Sequence, residues 1–221
     1  MNEKISVVIP ALNEEKNIAI VLGNMPSFVD EVVVVDGYSK DRTSQIALEL
    51  GAKVIFDRIG KGSALRNGLE EARGDIIITM DADCSHGEEE MIRLVEAIRS
   101  GYDVCMASRF IEGGGTEDMT LVRKIGNRLF VTLVNLIWGT RYSDLCYGYR
   151  SFRKDCIGLL DLKCNDFGIE TEISIKTAKK KLKVIEVPSF EKGRKEGEGK
   201  LKTFRDGFHI LRRIVIEALS R

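Results

Sequence analysis

The stretch "DIIITMDADCSH", Asp75 to His86, passes from an unbroken apolar run into two aspartates one residue apart. A continuous run of β-branched residues is the pattern of a strand buried on both faces of a parallel sheet. Two carboxylates that close repel each other unless a cation or water lies between them. The pair therefore belongs where a buried strand emerges at a sheet edge, and two readings are open there. One is a divalent cation, and the other a solvated turn that caps the following helix.

Working outward, the same alternation repeats. "ISVVIP" precedes a helical pattern over Glu14 to Met25, "EVVVVD" one over Thr43 to Leu50, and "KVIF" one over Lys61 to Ala72. "DIIITMD" precedes one over Glu88 to Ser100, and "DVCMAS" follows. Such β-α-β-α spacing predicts an α/β fold with a mostly parallel, Rossmann-like sheet covered by helices on both faces. After Phe110 come a Gly-rich loop, "IEGGGTEDM", a helix over about Leu121 to Trp138 and a strand-like "DLCYGYRSF". A helix over about Ile169 to Lys181 and a strand at "LKVIEVP" follow. "EKGRKEGEGK", Glu191 to Lys200, has no apolar residue and three glycines, which predicts a mobile loop. The chain reads as one catalytic-sized domain, residues 1–202, and a closing amphipathic helix over 203–221.

Lys plus Arg and Asp plus Glu both count 34, so no charge excess draws the protein to nucleic acid. Five cysteines without CxxC or zinc spacing, and an N-terminus without a signal-peptide pattern, predict a cytoplasmic protein. The most apolar helical stretch, "LFVTLVNLIW", falls well short of the roughly 20 residues that a bilayer crossing needs.

In open parallel sheets ligands bind outside the carboxyl ends of the strands. The residues just after the strands are Pro10, Asn13 and Glu14; Asp36, Ser39 and Asp41; Asp81, Asp83, Ser85 and His86; Ser108 and Arg109. Asp81 and Asp83, i and i+2 on extended backbone, point the same way and suit Mg²⁺ or Mn²⁺, which take oxygen ligands. Asp36 either accepts from a nucleobase or ribose or caps the next helix. Lys61, between glycines at a helix start, suits a phosphate. The dinucleotide fingerprint and the Walker spacing are both missing. Arg109, Arg123 and Arg128, with Arg194, Lys195 and Lys200, are cations for anionic groups, or else solvated surface charges. His86 is a base or, directly after the two aspartates, tunes or caps the site, and His209 is a packing or surface histidine. Phe204, Phe208, Leu211, Val215 and Leu219 share one stripe of the last helix, which either packs on the core or lies on a membrane face.

"VVIPALNEEKNI", "EVVVVDGYSKDRT", "GKGSALRNGLEEARGDIIITMDADCSH", "ASRF", "DLCYGYRSFRK", "FGIETEI" and "EVPSFEKGRKEGEGKL" together resemble family 2 glycosyltransferases of the GT-A fold. Within them the similarity is to dolichyl- or polyprenyl-phosphate hexosyltransferases. The resemblance implies an inverting, metal-dependent hexose transfer from a nucleoside-diphosphate sugar to dolichyl or polyprenyl phosphate, at the inner face of the cell membrane. It implies a donor site at Pro10, Ala11, Glu14, Asp36, Lys61, Asp81, Ala82, Asp83, Ser85, Arg109, Arg194 and Lys200. Asp81 and Asp83 would hold Mg²⁺ or Mn²⁺, with Asp83, Arg109 and Arg123 catalytic and the two arginines on the acceptor phosphate. Glu170 matches an acidic base of saccharide-elongating relatives, or is a structural carboxylate here. Two departures stand out: "DGYSKDRT" replaces a DDGS-type motif, and Ser85 replaces an amide. The first favours a UDP-sugar over a GDP-sugar.

Overall fold

The apolar runs become strands in the computed structural model, which describes residues 3–197, 200 and 202–220. The first half is β1 (Ile5–Ala11), α1 (Glu15–Gly23), β2 (Glu31–Asp36), α2 (Thr43–Glu49), β3 (Lys53–Phe56), α3 (Lys61–Glu71) and β4 (Ile76–Thr79). A 3-10 turn at Glu88–Glu90 then leads into α4 (Met91–Arg99) and β5 (Val104–Ser108). The second half adds β6 (Gly115–Thr116), α5 (Leu121–Trp138), β7 (Arg150–Arg153), α6 (Lys154–Leu160) and α7 (Ile169–Lys179). It closes with β8 (Val184–Pro188), β9 (Phe190–Glu191) and α8 (Thr203–Leu219).

Among the described residues seven strands form one sheet in the order β3-β2-β1-β4-β7-β5-β8. Every pair is parallel except those of β7, which runs antiparallel between β4 and β5. Val7 of β1 stands opposite both Val32 of β2 and Ile78 of β4. The chain moves outward from β1 through β2 to β3, then returns to place β4 on the other side of β1. That reversal is the switch point at which a crevice opens beyond the strand ends.

Alternation along β1 sorts the two layers. Ile5, Val7 and Ile9 face a layer built from Ile18 and Val21 of α1, Ala47 of α2, and Met91, Leu94 and Val95 of α4. Val8, Val33, Val35 and Ile77 face the opposite layer, with Ala64, Leu65 and Leu69 of α3, Ile169 and Ile173 of α7, and Ile210 and Ile214 of α8. Burying each of these Val, Leu, Ile and Met side chains contributes about 1.5–3 kcal/mol. Leu145, Tyr147 and Tyr149 of the strand-like stretch are also buried, but only Arg150–Arg153 is strand. Helix α6 and the small β6–β9 ribbon were not expected from the sequence.

Helix α5 follows its predicted bounds because its ends are marked locally. The Thr120 hydroxyl accepts from the Arg123 N–H at the start, and Gly139 adopts φ +66° at the end, a conformation that glycine takes without strain. Helix α8 is tied to α7 by Lys179–Glu217 and by Arg213–Glu172, at 3.2 Å each. All five cysteines are free; Cys105, Cys156 and Cys164 are buried, whereas Cys84 and Cys146 are partly exposed. Among the described residues no helix is long and apolar enough to cross a membrane.

Candidate active site

Asp81 lies two residues past β4, where the strand leaves the core. Lys61 Nζ, from the first turn of α3, is 2.9 Å from Asp81 Oδ1 and 2.9 Å from Glu170 Oε1 of α7. One ammonium thus joins two carboxylates brought from elements 89 residues apart in sequence, from position 81 to position 170. Burial alone would raise the Asp81 carboxyl, but the Lys61 ammonium outweighs it and brings the group down to about 2. The same pairing overcomes burial at Lys61 and raises its ammonium above the ordinary range. Gly148 forms the floor between the carboxylates: a Cβ there would stand 3.4 Å from Asp81 Oδ2 and 3.5 Å from Glu170 Oε1.

Asp83 makes the turn that one sequence reading expected, its Oδ1 accepting from the Ser85 N–H at 3.1 Å. Its other oxygen, Oδ2, is 3.2 Å from Arg194 Nη2. Arg194 Nη1 donates to both oxygens of Glu14, at 3.0 and 2.9 Å, and Lys200 Nζ donates to Glu14 Oε1 at 2.9 Å. Asn17, one turn along α1, adds a bond from Nδ2 to Glu14 Oε2 at 2.8 Å and another to the Glu196 carbonyl at 3.1 Å. The predicted mobile loop is therefore tied to the strand ends at Arg194, Glu196 and Lys200. Residues 198 and 199 of that stretch lie outside the described residues.

Asp36 ends β2 fully buried. Its Oδ1 accepts from the Ser39 N–H at 2.6 Å, and its Oδ2 is buried without a hydrogen-bond partner. Asp41, the other candidate cap, accepts from the N–H groups of Thr43 at 3.0 Å and Glu15 at 3.2 Å, and so holds the starts of α2 and α1. Pro10, Ala11 and Asp36 belong to adjacent strand ends, with Pro10 opposite Val35 and Ala11 opposite Asp36.

Arg109 is buried just past β5. Its Nε and Nη2 donate to the two oxygens of Asp144 at 2.7 and 2.9 Å, and Nη1 to both oxygens of Glu191 at 2.9 and 3.0 Å. Its guanidinium also lies 4.5 Å above the Tyr147 ring. Arg123 occupies a different neighbourhood, with Nε donating to Thr203 Oγ1 at 3.2 Å and Nη1 3.7 Å from Asp118. It spans the first turns of α5 and α8. Arg128 is on the exposed face of α5. His209 sits 3.0 Å from Asp166 on the helix-packed side.

His86 is buried, its ring stacked on Tyr149 at 4.7 Å and meeting Tyr147 edge-on at 4.9 Å. Its Nδ1 accepts from the Asp81 N–H at 3.1 Å. Burial holds the imidazole below its ordinary range. Asn17 and Gly148 carry no sequence signal for a site beyond their short distance from Glu14 and from "DLCYGYRSF".

The oxygen donors suit a hard divalent cation. Among the described residues no three of His, Cys, Asp and Glu converge as a cage. Asp81 and Asp83, each with one oxygen on a cation, instead fit the two-carboxylate type that shares Mg²⁺ or Mn²⁺ with substrate phosphates.

A model described as Glycosyl transferase family 2 matches residues 6–158. The chain is 35% identical over 211 residues to a dolichol-phosphate mannosyltransferase of Pyrococcus furiosus, covering 90% of this chain and 59% of that protein. It therefore spans less than two thirds of that relative's length. A dolichyl-phosphate hexose transferase of Haloferax volcanii is 31% identical over 217 residues, covering 96% and 93% of the two chains. Among solved structures, glucosyl-3-phosphoglycerate synthase of Mycobacterium tuberculosis, crystallised with Mn²⁺, UDP and glucosyl-3-phosphoglycerate, superposes with a TM-score of 0.78. It is 22% identical and the match covers 98% of this chain and 80% of that one, a likeness of fold that agrees with the predicted GT-A architecture.

Proposed function

Because this chain belongs to glycosyl transferase family 2, we propose that it transfers a hexose from a nucleoside-diphosphate sugar to dolichyl or polyprenyl phosphate, with inversion. The observation that carries this reading is two chains of alternating charges at the switch point that form a ring only in outline, Glu170–Lys61–Asp81 and Asp83–Arg194–Glu14–Lys200. Their cations are drawn from α3 and the late loop onto carboxylates at two strand ends. Such chains rearrange readily around a ligand that carries both phosphates and a cation. The names of the P. furiosus and H. volcanii relatives support the lipid-phosphate acceptor.

In the proposed reaction Lys61 exchanges Asp81 for the donor diphosphate and keeps Glu170, while Arg194 and Lys200 turn to the diphosphate from Glu14. Asp81 and Asp83 would hold a divalent cation, which would supply Lewis-acid neutralisation of the departing diphosphate. An oxygen of the lipid phosphate bonds to the anomeric carbon from the opposite side. The bond from that carbon to the diphosphate breaks, and its electron pair leaves with the nucleotide. The attacking phosphate is already an anion, so no strong base is required and positioning supplies much of the rate. A saccharide acceptor would need a base. Glu170, the carboxylate in that position, is instead engaged by Lys61.

Purified protein given a nucleotide-sugar, Mg²⁺ or Mn²⁺ and a short polyprenyl phosphate is expected to form a lipid-linked sugar. Transfer to a saccharide and not to the lipid phosphate would overturn the acceptor assignment.

We propose that Asp36 favours a uridine carrier. With Oδ1 committed to Ser39, one oxygen remains to accept a hydrogen bond. Uracil presents a single imide N–H between two carbonyls, whereas guanine presents adjacent N1–H and N2–H groups that a carboxylate meets best with both oxygens. UDP with Mg²⁺ is therefore expected to raise the melting temperature more than GDP at equal concentration. Asp36→Asn should weaken UDP binding about tenfold, the loss of one charge-assisted bond. A larger shift with GDP would refute the uridine assignment.

The acceptor's tail has a surface to meet. On α8 the predicted stripe faces solvent, with Phe204 86% and Leu219 80% exposed, and Phe208, Leu211 and Val215 lie between them. Its neighbour α5 exposes Leu121, Val122, Ile125, Leu129 and Leu136, with Arg128 on α5 and Arg205 and Arg212 on α8 alongside. The opposite side of α8 packs through Ile210 and Ile214, so both readings of this helix have a structural basis. Peripheral binding to an anionic membrane is proposed through this double face. Phe204→Ser combined with Phe208→Ser should lower partitioning onto anionic vesicles at least ~10-fold, since each buried Phe contributes about 1.5–3 kcal/mol. Sedimentation with vesicles measures it, and unchanged partitioning would exclude α8 from the contact.

A further inference from the structure

We propose that His86 is a positioning residue that orients Asp81 for the donor, acting as a neutral imidazole with its proton on Nε2. This deepens the reading of Asp81 and Asp83 as a metal-holding pair and rests on it.

The geometry starts from the backbone. Cys84, in the middle of the turn after Asp83, has φ +64°, a left-handed conformation that reverses the chain. The reversal carries His86 back under the strand end, where Nδ1 lies 3.1 Å from the Asp81 N–H. Because that backbone group is a donor, Nδ1 must be the bare nitrogen, and the ring proton is assigned to Nε2. Nε2 is buried without a hydrogen-bond partner and lies 3.9 Å from Asp81 Oδ2. Oδ1 of the same carboxylate is 2.9 Å from Lys61 Nζ. Thus Asp81 is fixed at its main chain by Nδ1, two bonds from the Cβ that carries the carboxylate shared with Lys61.

The ring itself cannot turn away. Tyr149 stacks on it with an interplanar angle of 6°, and Tyr147 closes its edge at 89°. Both tyrosines are anchored in turn, Tyr149 by donating to the Gly87 carbonyl at 3.0 Å and Tyr147 through the Ser189 hydroxyl at 3.1 Å. A stacked phenyl ring would have sufficed for packing alone. A ring nitrogen that accepts from the Asp81 N–H holds in place the main chain from which the ligating carboxylate projects. No proton transfer belongs to this role.

Two measurements test it. Nitrogen-15 shifts of His86 in the ligand-free protein are expected to report a bare Nδ1 and a protonated Nε2, and the opposite tautomer would overturn the proposal. Mn²⁺ is then titrated, by electron paramagnetic resonance, into wild type, His86→Phe and His86→Asn in the presence of UDP. His86→Phe keeps the stack on Tyr149 and should bind Mn²⁺ 10–100-fold more weakly, as expected when an outer partner of a ligand is lost. Its binding of UDP without metal should be unchanged, which a merely unstable variant would not give. His86→Asn, with an oxygen near the Nδ1 position, should fall between the two. Wild-type uptake matched by His86→Phe would overturn the role of His86 and leave the metal reading standing. A wild-type protein that takes up no Mn²⁺ would overturn the metal reading and this role with it.

Discussion

Asp83→Ala is expected to reduce lipid-linked sugar formation by at least roughly 10²–10³-fold, the scale seen when one preorganised electrostatic contact to a developing charge is removed. The fold should survive. Asp83 makes one local turn bond, to the Ser85 N–H, and one ion pair, to Arg194. Arg194 retains Glu14 when Asp83 is gone, so no buried cation is left without a partner. Losing the turn bond and the partly exposed pair should cost on the order of 1–2 kcal/mol. Asp83→Asn keeps an acceptor for Ser85 and removes the charge, so it separates turn from electrostatics. Turnover is read as product per minute, beside the melting temperature of each variant. More than a tenth of wild-type activity in Asp83→Asn would show that the carboxylate charge is not what the donor needs.

Arg109→Ala should fail in a different way, by unfolding. Its guanidinium is the shared partner of Asp144 and Glu191 and is buried beneath Tyr147. Removing it leaves two carboxylates packed together without that cation. Breaking one side of such a buried pair costs about 3–5 kcal/mol, a large part of the stability of a domain. The midpoint of urea unfolding should fall accordingly, and Arg109→Lys should recover little, because an ammonium cannot meet two carboxylates bidentately. The family resemblance assigns Arg109 to the acceptor phosphate, and the two roles separate cleanly. If Arg109→Ala unfolds at the wild-type midpoint yet no longer transfers the sugar, its task is the phosphate and not the scaffold. Arg123, which the resemblance also assigns to the acceptor phosphate, spans the starts of α5 and α8 beside the exposed apolar face. It is the cation better situated to meet a phosphate whose tail lies on that face.

Much of this molecule was legible before any coordinates. The strands of the first half carry their assignment in unbroken runs such as Val32 to Val35, and α5 in its cap and terminal glycine. The meeting of Glu14, Asp81 and Asp83 at one edge followed from topology, since strand-end residues of a parallel sheet share that edge. What the sequence reading lacked is instructive in each case. "DLCYGYRSF" was read as strand-like throughout, but its alternating Leu145, Tyr147 and Tyr149 are buried ahead of a short antiparallel strand. "EKGRKEGEGK" looked mobile because it has no apolar residue. Its attachment is through Arg194 and Lys200 to Glu14, and charge gives no periodic signal.

The stretch from Asp75 to His86 divides along the same line. By itself the sequence determined that an oily strand ends at two carboxylates, because hydrophobic burial acts residue by residue and leaves its period in the chain. The partners of those carboxylates were decided only in three dimensions. Lys61 reaches Asp81 from α3, Arg194 reaches Asp83 from the late loop, and His86 folds back on Asp81 through a left-handed turn. A long charged side chain can satisfy itself with any opposite charge within reach. Which one it meets depends on the crossing of the strands and helices that carry the two, and local sequence does not encode that.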